Sequence, residues 1–299
     1  MQPFKAFFAL VVLGAVVAQP AMAQTRLGAE GAEGEPNRKQ QWLVPSPDPD
    51  TAAHAWLFRP PGEGPFPLAL IAHASTQNVL RRAQMPQPEY PALSAWLVAR
   101  GFAVLVPERP GHGLTGGRYL EDQGGCDEAN YSRSGYATAD SITAALDYLR
   151  GQPFIRRDGT VIVGHSAGGW GALALAAEGP QGIAMIIAFA PGRGGHANDF
   201  PNQVCAPHAL MLAVAEFGEG ARVPVLWLVA ANDSYFSPEL SRRMADAFRA
   251  GGGKVDFRVL AASGGEGHWL AETDGGAKLF GPALDSALKV LVAKPVKTR

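Results

Sequence analysis

The chain has 299 residues, a formal net charge of −1 and 47% hydrophobic residues. This composition is typical of a globular protein and argues against a disordered chain. The balanced charge and the lack of a basic run give no reason to expect nucleic-acid binding. The length suits one large α/β domain or two small ones.

The N-terminal residues have the pattern of a secretory signal peptide. Lys5 supplies a positive charge, residues 6–18 are apolar, and an A-x-A motif follows at 21–23. We therefore expect residues 1–23 to be cleaved after Ala23 and the mature protein to be exported, to the periplasm or out of the cell. The alternative, a membrane anchor, is disfavoured because about 13 apolar residues are fewer than the roughly 20 that span a bilayer. No stable membrane insertion is expected after cleavage.

Residues 24–39 are rich in glycine, glutamate and polar residues without periodicity, which predicts a flexible segment. Beyond it, short apolar runs alternate with helical patterns. Strands are predicted at 40–44, 54–58, 68–72, 103–107, 161–163, 183–188, 225–230 and 255–260. Helices are predicted at 91–100, 138–150, 167–177, 238–250 and 277–292. The alternation predicts an α/β fold, a mostly parallel sheet with helices on both faces, in one domain at 40–299.

One connection is too long for a simple crossover loop. Residues 191–222 separate two predicted central strands, begin with a polar, glycine-rich sequence and contain a short apolar helix at 209–217. We expect this segment to form a small cap over the carboxyl ends of the strands, where open α/β sheets bind ligands.

The strand predicted at 161–163 leads directly into the pattern G-x-S-x-G at 164–168, and an alanine-rich helix follows. This is the layout of a nucleophile elbow, in which a serine lies on a sharp strand-to-helix turn. Ser166 would be the nucleophile, and the N–H of Ala167 would face an oxyanion. The alternative is a chance match in a glycine-rich chain, which the flanking strand and helix disfavour.

A serine nucleophile needs a histidine base, and the histidine needs a carboxylate that holds its tautomer. In this layout the chain order is serine, acid, histidine. Asp233 follows the strand at 225–230 and His268 follows the last predicted strand, so both stand where that order requires them. Asp233 could instead cap the next helix, although Ser237 suits that place better. Glu266 is the alternative acid, but it lies only two residues from His268 and could not easily reach the ring from behind.

A second oxyanion donor is expected in the loop after the strand at 68–72. The N–H of Ser75 is the favoured donor, and Thr76 is the alternative. His73 would brace this loop through its ring.

The chain has two cysteines, Cys126 and Cys205. In an exported protein an even pair predicts a disulfide, the alternative being two buried thiols. Both residues should lie in loops above the sheet, so a bridge would clip the cap to the domain. Arg193, directly after a predicted strand, could contact an anionic acyl group or could be an ordinary surface arginine. No cysteine or histidine spacing suggests a structural metal.

These residues resemble the α/β-hydrolase superfamily, and within it the serine esterases grouped with dienelactone hydrolases and prolyl-oligopeptidase-type domains. The resemblance spans about residues 65–292 and rests on His268 and on the segments 73–75, 107–113, 164–168 and 231–233. It implies the α/β-hydrolase fold. Two positions depart from the family pattern. Ser166 stands where dienelactone hydrolases have a cysteine, so their substrate is not carried over, and Ala74 replaces the usual glycine.

Together these features predict an exported serine hydrolase that cleaves a small-molecule carboxylic ester through an acyl-enzyme, without a metal or organic cofactor. One alternative is a peptidase of prolyl-oligopeptidase type, which usually carries a large extra domain that does not fit in the roughly 40 residues before the strand at 68–72. The other is a non-catalytic binding protein on the same scaffold, which would have no need of all three triad residues.

Overall fold

The computed structural model describes residues 26–292, so the predicted signal peptide at 1–23 lies outside the described residues. Within this range one sheet contains the strands β1 (Gly28–Gly34), β2 (Lys39–Val44), β3 (Ala53–Phe58), β4 (Leu68–Ala72), β5 (Ala103–Pro107), β6 (Thr160–His165), β7 (Ile183–Phe189), β8 (Val225–Ala230) and β9 (Val255–Leu260). The helices are α1 (Val79–Ala83), α2 (Pro91–Val98), α3 (Tyr131–Arg150), α4 (Ala167–Ala177), α5 (Pro207–Gly220), α6 (Pro238–Ala250) and α7 (Gly276–Val292).

The sheet is antiparallel at one end and parallel over the rest, in the order β1-β2-β3-β5-β4-β6-β7-β8-β9. β1, β2, β3 and β5 pair antiparallel, whereas β5, β4, β6, β7, β8 and β9 pair parallel. Every residue of β4, β5, β6 and β8 is buried. Such continuous apolar strands need cover on both faces. The predicted α/β fold is confirmed.

The two faces of the sheet carry separate apolar layers. Alternate residues of β4 show this division, since Leu68 and Leu70 pack with α3, α4, α5 and α6, while Ala69 and Ile71 pack with α2 and α7. The helices hold the parallel strands in place from both sides, and the loops at the carboxyl ends of those strands gather at one edge of the sheet.

The predicted cap at 191–222 is smaller than expected. Only residues 191–206 run as an irregular loop with one short 3-10 turn, and we call this segment the cap loop. The helix assigned to the cap is α5, which packs in the helical layer. Its residue Phe217 is fully buried, with its ring centre 5.0 Å from that of Trp170 in α4. The apolar residues of this helix therefore belong to the core and not to a cap.

The prediction of a flexible segment at 24–39 is wrong for residues 28–34, which form the edge strand β1. Most side chains of β1 are exposed, and the strand is held by backbone pairing with β2. The side-chain amide of Gln40 adds a hydrogen bond to the carbonyl of Gly31 (2.8 Å). Backbone pairing needs no apolar alternation, so the sequence carries no strand pattern there.

Two helices differ from the sequence prediction. α3 begins at Tyr131 and not at residue 138, because the side chain of Asn130 accepts a hydrogen bond from the N–H of Arg133 (2.9 Å) and caps the helix earlier. α1 is a short helix capped by Asn78, and no apolar pattern in the sequence predicts it. No helix among residues 26–292 combines the length and apolar character that a membrane crossing requires.

Candidate active site

Ser166 lies on the turn between β6 and α4, at the carboxyl edge of the sheet. Its backbone has φ 54° and ψ −117°, a strained conformation for a residue with a side chain. Its N–H donates to the carbonyl of Phe189 at the end of β7 (2.9 Å), which ties the turn to the neighbouring strand. The surrounding strand and helix thus impose the conformation that a nucleophile elbow requires.

Two glycines make this turn sterically feasible. A Cβ atom on Gly164 would lie 2.5 Å from the Cα of Gly169. A Cβ atom on Gly168 would collide with the carbonyl oxygen of Ala72 at the end of β4 and lie 2.6 Å from that of His73. Both approaches are closer than any non-bonded contact allows, so the backbones of β4, β6 and α4 meet only because these side chains are absent.

Asp233 and His268 form a hydrogen-bonded pair beside the elbow. Asp233 follows β8, and its Oδ2 lies 3.1 Å from the Nδ1 of His268. Its Oδ1 accepts hydrogen bonds from the N–H groups of Tyr235 (2.9 Å) and Phe236 (2.8 Å), which fix the carboxylate. Both members of the pair are buried. The carboxylate therefore holds Nδ1 protonated and leaves Nε2 as the free base.

Glu266, the alternative acid, bonds to the backbone instead. Its Oε1 accepts from the N–H of His268 (2.9 Å) and from that of Ser234 (3.1 Å). Burial alone would raise the pKa of Glu266, but the hydrogen bonds from Ser234 and His268 outweigh it and lower that pKa. Glu266 thus fixes the loop that carries His268, while Asp233 contacts the ring.

The environment of His268 favours its neutral form. Burial lowers the pKa of His268, and the hydrogen bond with Asp233 opposes this only in part. The ring of Tyr235 stacks on it with centres 4.2 Å apart, and His196 of the cap loop stacks on the other side of Tyr235 at 3.5 Å. A neutral, positioned imidazole is suited to accept a proton.

Ser166, Ala167, Ser75 and His268 all line one cavity of about 810 Å³. Asp233 lies buried behind His268. Among the described residues no hydrogen bond joins the Ser166 hydroxyl to the His268 ring, a bond that in ligand-free enzymes often forms only when substrate is in place.

The backbone N–H groups of Ala167 and Ser75 lie at this cavity without a hydrogen-bond partner within residues 26–292, and so does that of Thr76, the alternative donor. The neighbouring N–H of Ala74 is occupied, because it donates to the hydroxyl of Tyr90 (3.1 Å). The Oγ of Ser75 lies 2.7 Å from the Nε2 of His112, which fixes the residue. The arrangement leaves Ala167 and Ser75 able to donate to an oxyanion.

His73 is buried behind this loop. Its Nδ1 lies 2.5 Å from the carbonyl oxygen of Ala74, and its Nε2 accepts a hydrogen bond from the N–H of Arg109 (3.0 Å). Burial keeps the pKa of His73 well below its ordinary value, so the ring is neutral and joins two loops as donor and acceptor.

The interpretation of Arg193 as a surface arginine is wrong, since only 4% of the residue is exposed. Its guanidinium pairs with Glu121 (2.5 Å), which also pairs with Arg109, and donates to the Oγ1 of Thr138 (2.9 Å). Burial alone would raise the pKa of Glu121, but the two guanidinium groups hold that pKa well below its ordinary value. Arg193 thus ties the cap loop to the loop after β5, and its contact with an anionic acyl group stays a prediction.

Cys126 and Cys205 form a disulfide with their Cα atoms 5.0 Å apart. Both residues line the cavity. The bridge joins the loop after β5 to the cap loop, next to the ion pairs of Arg193. The two segments that form this wall of the cavity are therefore linked covalently.

Sequence reasoning missed three side chains beside the predicted triad, those of His165, Tyr90 and Glu272. His165 lies directly before the nucleophile, and its Nδ1 is 3.0 Å from Glu272 and 3.1 Å from the hydroxyl of Tyr90. The elbow motif leaves position 165 variable, and Tyr90 and Glu272 belong to no motif. The one signal in the sequence was a histidine at position 165, where the end of a central strand is expected to be buried.

Residues 88–192 match the Prolyl oligopeptidase family. Among curated proteins, none matches the chain significantly in sequence. Several solved structures share its fold. Est1E from Butyrivibrio proteoclasticus, determined with ferulic acid bound, has a TM-score of 0.59 at 17% identity, covering 84% of this chain and 99% of that one. An esterase of Pyrococcus furiosus has a TM-score of 0.57 at 13% identity, covering 84% and 90%.

Peptidases also share the fold. The acylaminoacyl peptidase of Pyrococcus horikoshii has a TM-score of 0.58 at 14% identity, with 80% of this chain covered. This chain spans only 39% of that peptidase. The fold is therefore the α/β-hydrolase fold, as the sequence resemblance implied, and esterases and peptidases are both among its structural neighbours.

Proposed function

We propose that this protein is an exported serine hydrolase that cleaves carboxylic esters, with Ser166 as nucleophile, His268 as base and Asp233 as the acid. The observation that carries the proposal is the buried Asp233–His268 pair (3.1 Å) in the wall of the cavity that also contains Ser166 on a strained turn. Backbone strain at a functional residue is maintained only where the surrounding structure enforces it.

The reaction follows the chemistry of a serine triad. The Nε2 of His268 removes the proton from Ser166 as the hydroxyl oxygen attacks the ester carbonyl. The Asp233 carboxylate stabilises the imidazolium, and the N–H groups of Ala167 and Ser75 bind the oxyanion. The intermediate collapses as His268 gives its proton to the leaving alkoxide. Water then attacks the acyl-enzyme with His268 again as base, which releases the acid and restores Ser166.

Coverage of the structural neighbours supports an ester substrate. The chain spans 99% of Est1E and 90% of the Pyrococcus furiosus esterase, but 39% of the acylaminoacyl peptidase. An alkoxide is a far better leaving group than an amide anion, so a serine triad cleaves an ester more readily than an amide. Peptidase activity is the second candidate, because residues 88–192 match the Prolyl oligopeptidase family.

Export is supported by two independent features. The N-terminal residues have the signal-peptide pattern, and the chain carries a disulfide, which persists in oxidising compartments. Mass spectrometry of the protein recovered outside the cytoplasm tests this point. A mature chain that begins at Gln24 is expected, and an intact Met1 in a cytoplasmic fraction would contradict export.

The substrate class is tested with p-nitrophenyl acetate and an aminoacyl p-nitroanilide, which release the same kind of chromophore from an ester and an amide. Wild type should hydrolyse the ester with a kcat/KM at least about 100-fold above that for the anilide, and Ser166→Ala should hydrolyse neither. The reverse preference would establish the peptidase. No turnover of either substrate, with no covalent labelling by a fluorophosphonate, would favour the alternative that the protein is a non-catalytic binding protein.

A further inference from the structure

His165 is a buried residue that the proposed mechanism does not use. It is the last residue of β6, directly before Ser166, and is 1% exposed. Its Nε2 lies 2.8 Å from the backbone carbonyl oxygen of His268. A carbonyl oxygen only accepts hydrogen bonds, so Nε2 must carry a proton and donate it. The residue before the nucleophile is thus bonded to the backbone of the base.

The other ring nitrogen of His165 meets two more groups. Nδ1 lies 3.0 Å from the Oε1 of Glu272 and 3.1 Å from the hydroxyl of Tyr90. Burial alone would raise the pKa of Glu272, but hydrogen bonds from His165 and Tyr90 outweigh it and lower that pKa. An ionised carboxylate only accepts, so the hydrogen bond to Glu272 requires a proton on Nδ1.

Tyr90 extends the network to the oxyanion loop. Its hydroxyl accepts the N–H of Ala74 (3.1 Å), the residue before Ser75. Burial raises the pKa of Tyr90 well above its ordinary value, so the hydroxyl keeps its proton and can donate it to Glu272. Contacts at hydrogen-bond distance therefore run without a break from Ala74 through Tyr90 and His165 to the backbone of His268.

We propose that His165, held by Glu272 and Tyr90, is a positioning residue that sets the backbone of His268 and the oxyanion loop relative to Ser166 at the same time. This inference rests on the proposed function. The reacting groups come from three separate segments, the turn at 164–168, the loop after β4 and the turn that carries His268. The His165 ring contacts the turn that carries His268 directly and the loop after β4 through Tyr90. The backbone of His165 is itself part of the turn at 164–168.

A role in packing alone would not need this chemistry. An apolar side chain could fill the same space. It would leave the three polar partners of His165 without a hydrogen bond, and an unpaired buried polar group destabilises the protein. Displacement of a reacting group by about 1 Å can cost about 100-fold in rate, so a bond that fixes two loops can act on catalysis from outside the triad.

The proton on His165 also has an electrostatic consequence for the base. The two rings lie 5.1 Å apart, and a charged His165 lowers the pKa of His268, adding to the larger effect of burial. Glu272 and Tyr90 face His165, and the other groups that face His268 are Asp233, Glu266 and Tyr235. Replacing His165 alone leaves all of these residues in place, but it removes the hydrogen bond that lowers the pKa of Glu272.

The first test compares wild type with His165→Gln, which keeps an amide able to reach the His268 carbonyl but cannot hold the proton at Glu272. We expect kcat for p-nitrophenyl acetate to fall about 10- to 100-fold while KM changes less than about threefold, as for a residue that acts only in the transition state. The acid limb of kcat/KM should move to higher pH, because loss of the neighbouring charge raises the pKa of His268. His54→Gln, a histidine in β3 away from the cavity, should behave like wild type.

The second test guards against a folding defect. The Glu272 side chain is 42% exposed, so Glu272→Leu removes the acceptor without opening the core. It should lower kcat in the same direction, and combining it with His165→Gln should cost less than the product of the two losses, since both break one network. Circular dichroism must show both variants folded.

The failure of this inference can be told from that of the proposed function. If wild type reacts with a fluorophosphonate and folded His165→Gln reacts at the same rate, with an unshifted acid limb, His165 has no positioning role. Fully multiplicative losses in the double variant would also overturn the network. If wild type itself is neither labelled nor active, the proposed function fails first.

Discussion

The two walls of the cavity are held together in different ways. On the side of Ser166, the backbones of β4, β6 and α4 touch with no side chain between them, because Gly164 and Gly168 lack Cβ atoms. On the other side, the cap loop is irregular and is fixed by the Cys126–Cys205 bridge and by the ion pairs of Arg193. The first wall holds Ser166, the proposed nucleophile, and the second shapes the space around it.

This contrast has a physical basis. Direct backbone contact between strands and a helix leaves no freedom for the nucleophile, and close-packed interiors transmit any change in volume. A loop of polar residues gains little from burial, so it needs covalent or charged links to stay in one conformation. Changes to the first wall should therefore abolish function or folding, whereas changes to the second should alter stability and substrate preference.

The largest effect is expected for the nucleophile. Ser166→Ala should lower kcat for p-nitrophenyl acetate by about 10⁴-fold or more, because no other group can form the acyl-enzyme. His268→Ala should lose about as much, and the double variant hardly more, since the two residues act as one unit. Steady-state kinetics at matched concentration measure the loss. Near-normal turnover by Ser166→Ala would end the triad hypothesis.

The acid comes next. Asp233→Asn should reduce kcat by about 10³- to 10⁴-fold, because an amide stabilises the wrong tautomer of His268. Glu266→Gln is the matched control, because Glu266 is a carboxylate on the loop that carries His268 and it bonds to the backbone of His268 and not to its ring. Its loss should stay below about tenfold. If the two variants exchanged these results, Glu266 would be the acid.

Glycine substitutions compare the two walls directly. Gly168→Ala should lower the free energy of unfolding by about 3 kcal/mol or more, because its Cβ would collide with the carbonyl of Ala72. Gly125→Ala, next to Cys126 on the other wall, adds a Cβ that meets nothing within 4 Å. It should change stability by less than about 0.5 kcal/mol. Urea denaturation measures the free energy of unfolding of both variants. Equal losses of stability would contradict the proposed difference between the two walls.

Breaking the bridge should affect stability more than chemistry. The cysteines are 79 residues apart in sequence. Loss of a bridge that closes so long a loop should cost about 2–5 kcal/mol and lower Tm by roughly 5–15 °C. Cys126→Ser is the cleaner variant, since Cys126 is exposed and Cys205 is buried. The rate of fluorophosphonate labelling should stay within about threefold of wild type, while the ratio of kcat/KM between short and long acyl esters changes.

Loss of activity in Cys126→Ser would contradict the independence of the two walls. If Cys126→Ser lost labelling and ester turnover together, the second wall would control the nucleophile, and the two walls would not be independent. Two free thiols in the unfolded, unreduced wild-type protein would show that no bridge forms.

The smallest effect is the pH dependence at the base. The pKa of His268 is lowered chiefly by burial. Activity requires the neutral ring, so kcat/KM should fall as the pH drops through that pKa, with a midpoint below about 6.5, the ordinary value for histidine. A pH–rate profile on p-nitrophenyl acetate measures it. A midpoint above that value would mean that Asp233 outweighs burial.

The parts of the fold that sequence patterns predicted are those with continuous apolar strands. Runs such as 68–72 and 225–230 are short, apolar and bounded by loop residues, which favours strands buried on both faces. The positions of Ser166, Asp233 and His268 follow from where the predicted strands end. The structure also brings Cys126 and Cys205 together as expected.

The parts that could not be predicted depend on contacts between distant segments. β1 is held by backbone pairing and by the ion pairs of Glu33 with Arg38 and Arg59, neither of which needs apolar alternation, so its polar residues look flexible in sequence. Arg193 is buried only because Glu121, far away in the chain, neutralises it. Similarly, Tyr90 and Glu272 contact His165 from two other segments of the chain, and no local sequence pattern predicts those contacts.

The most direct test is to identify the residue that reacts with a fluorophosphonate. Wild-type protein is incubated with the probe, digested, and mapped by mass spectrometry, with heat-denatured protein as the control. One adduct on Ser166, absent after denaturation and absent from Ser166→Ala, is the predicted result. No adduct, or an adduct on another residue that persists in Ser166→Ala, would contradict the assignment of this cavity as the active site of a serine hydrolase.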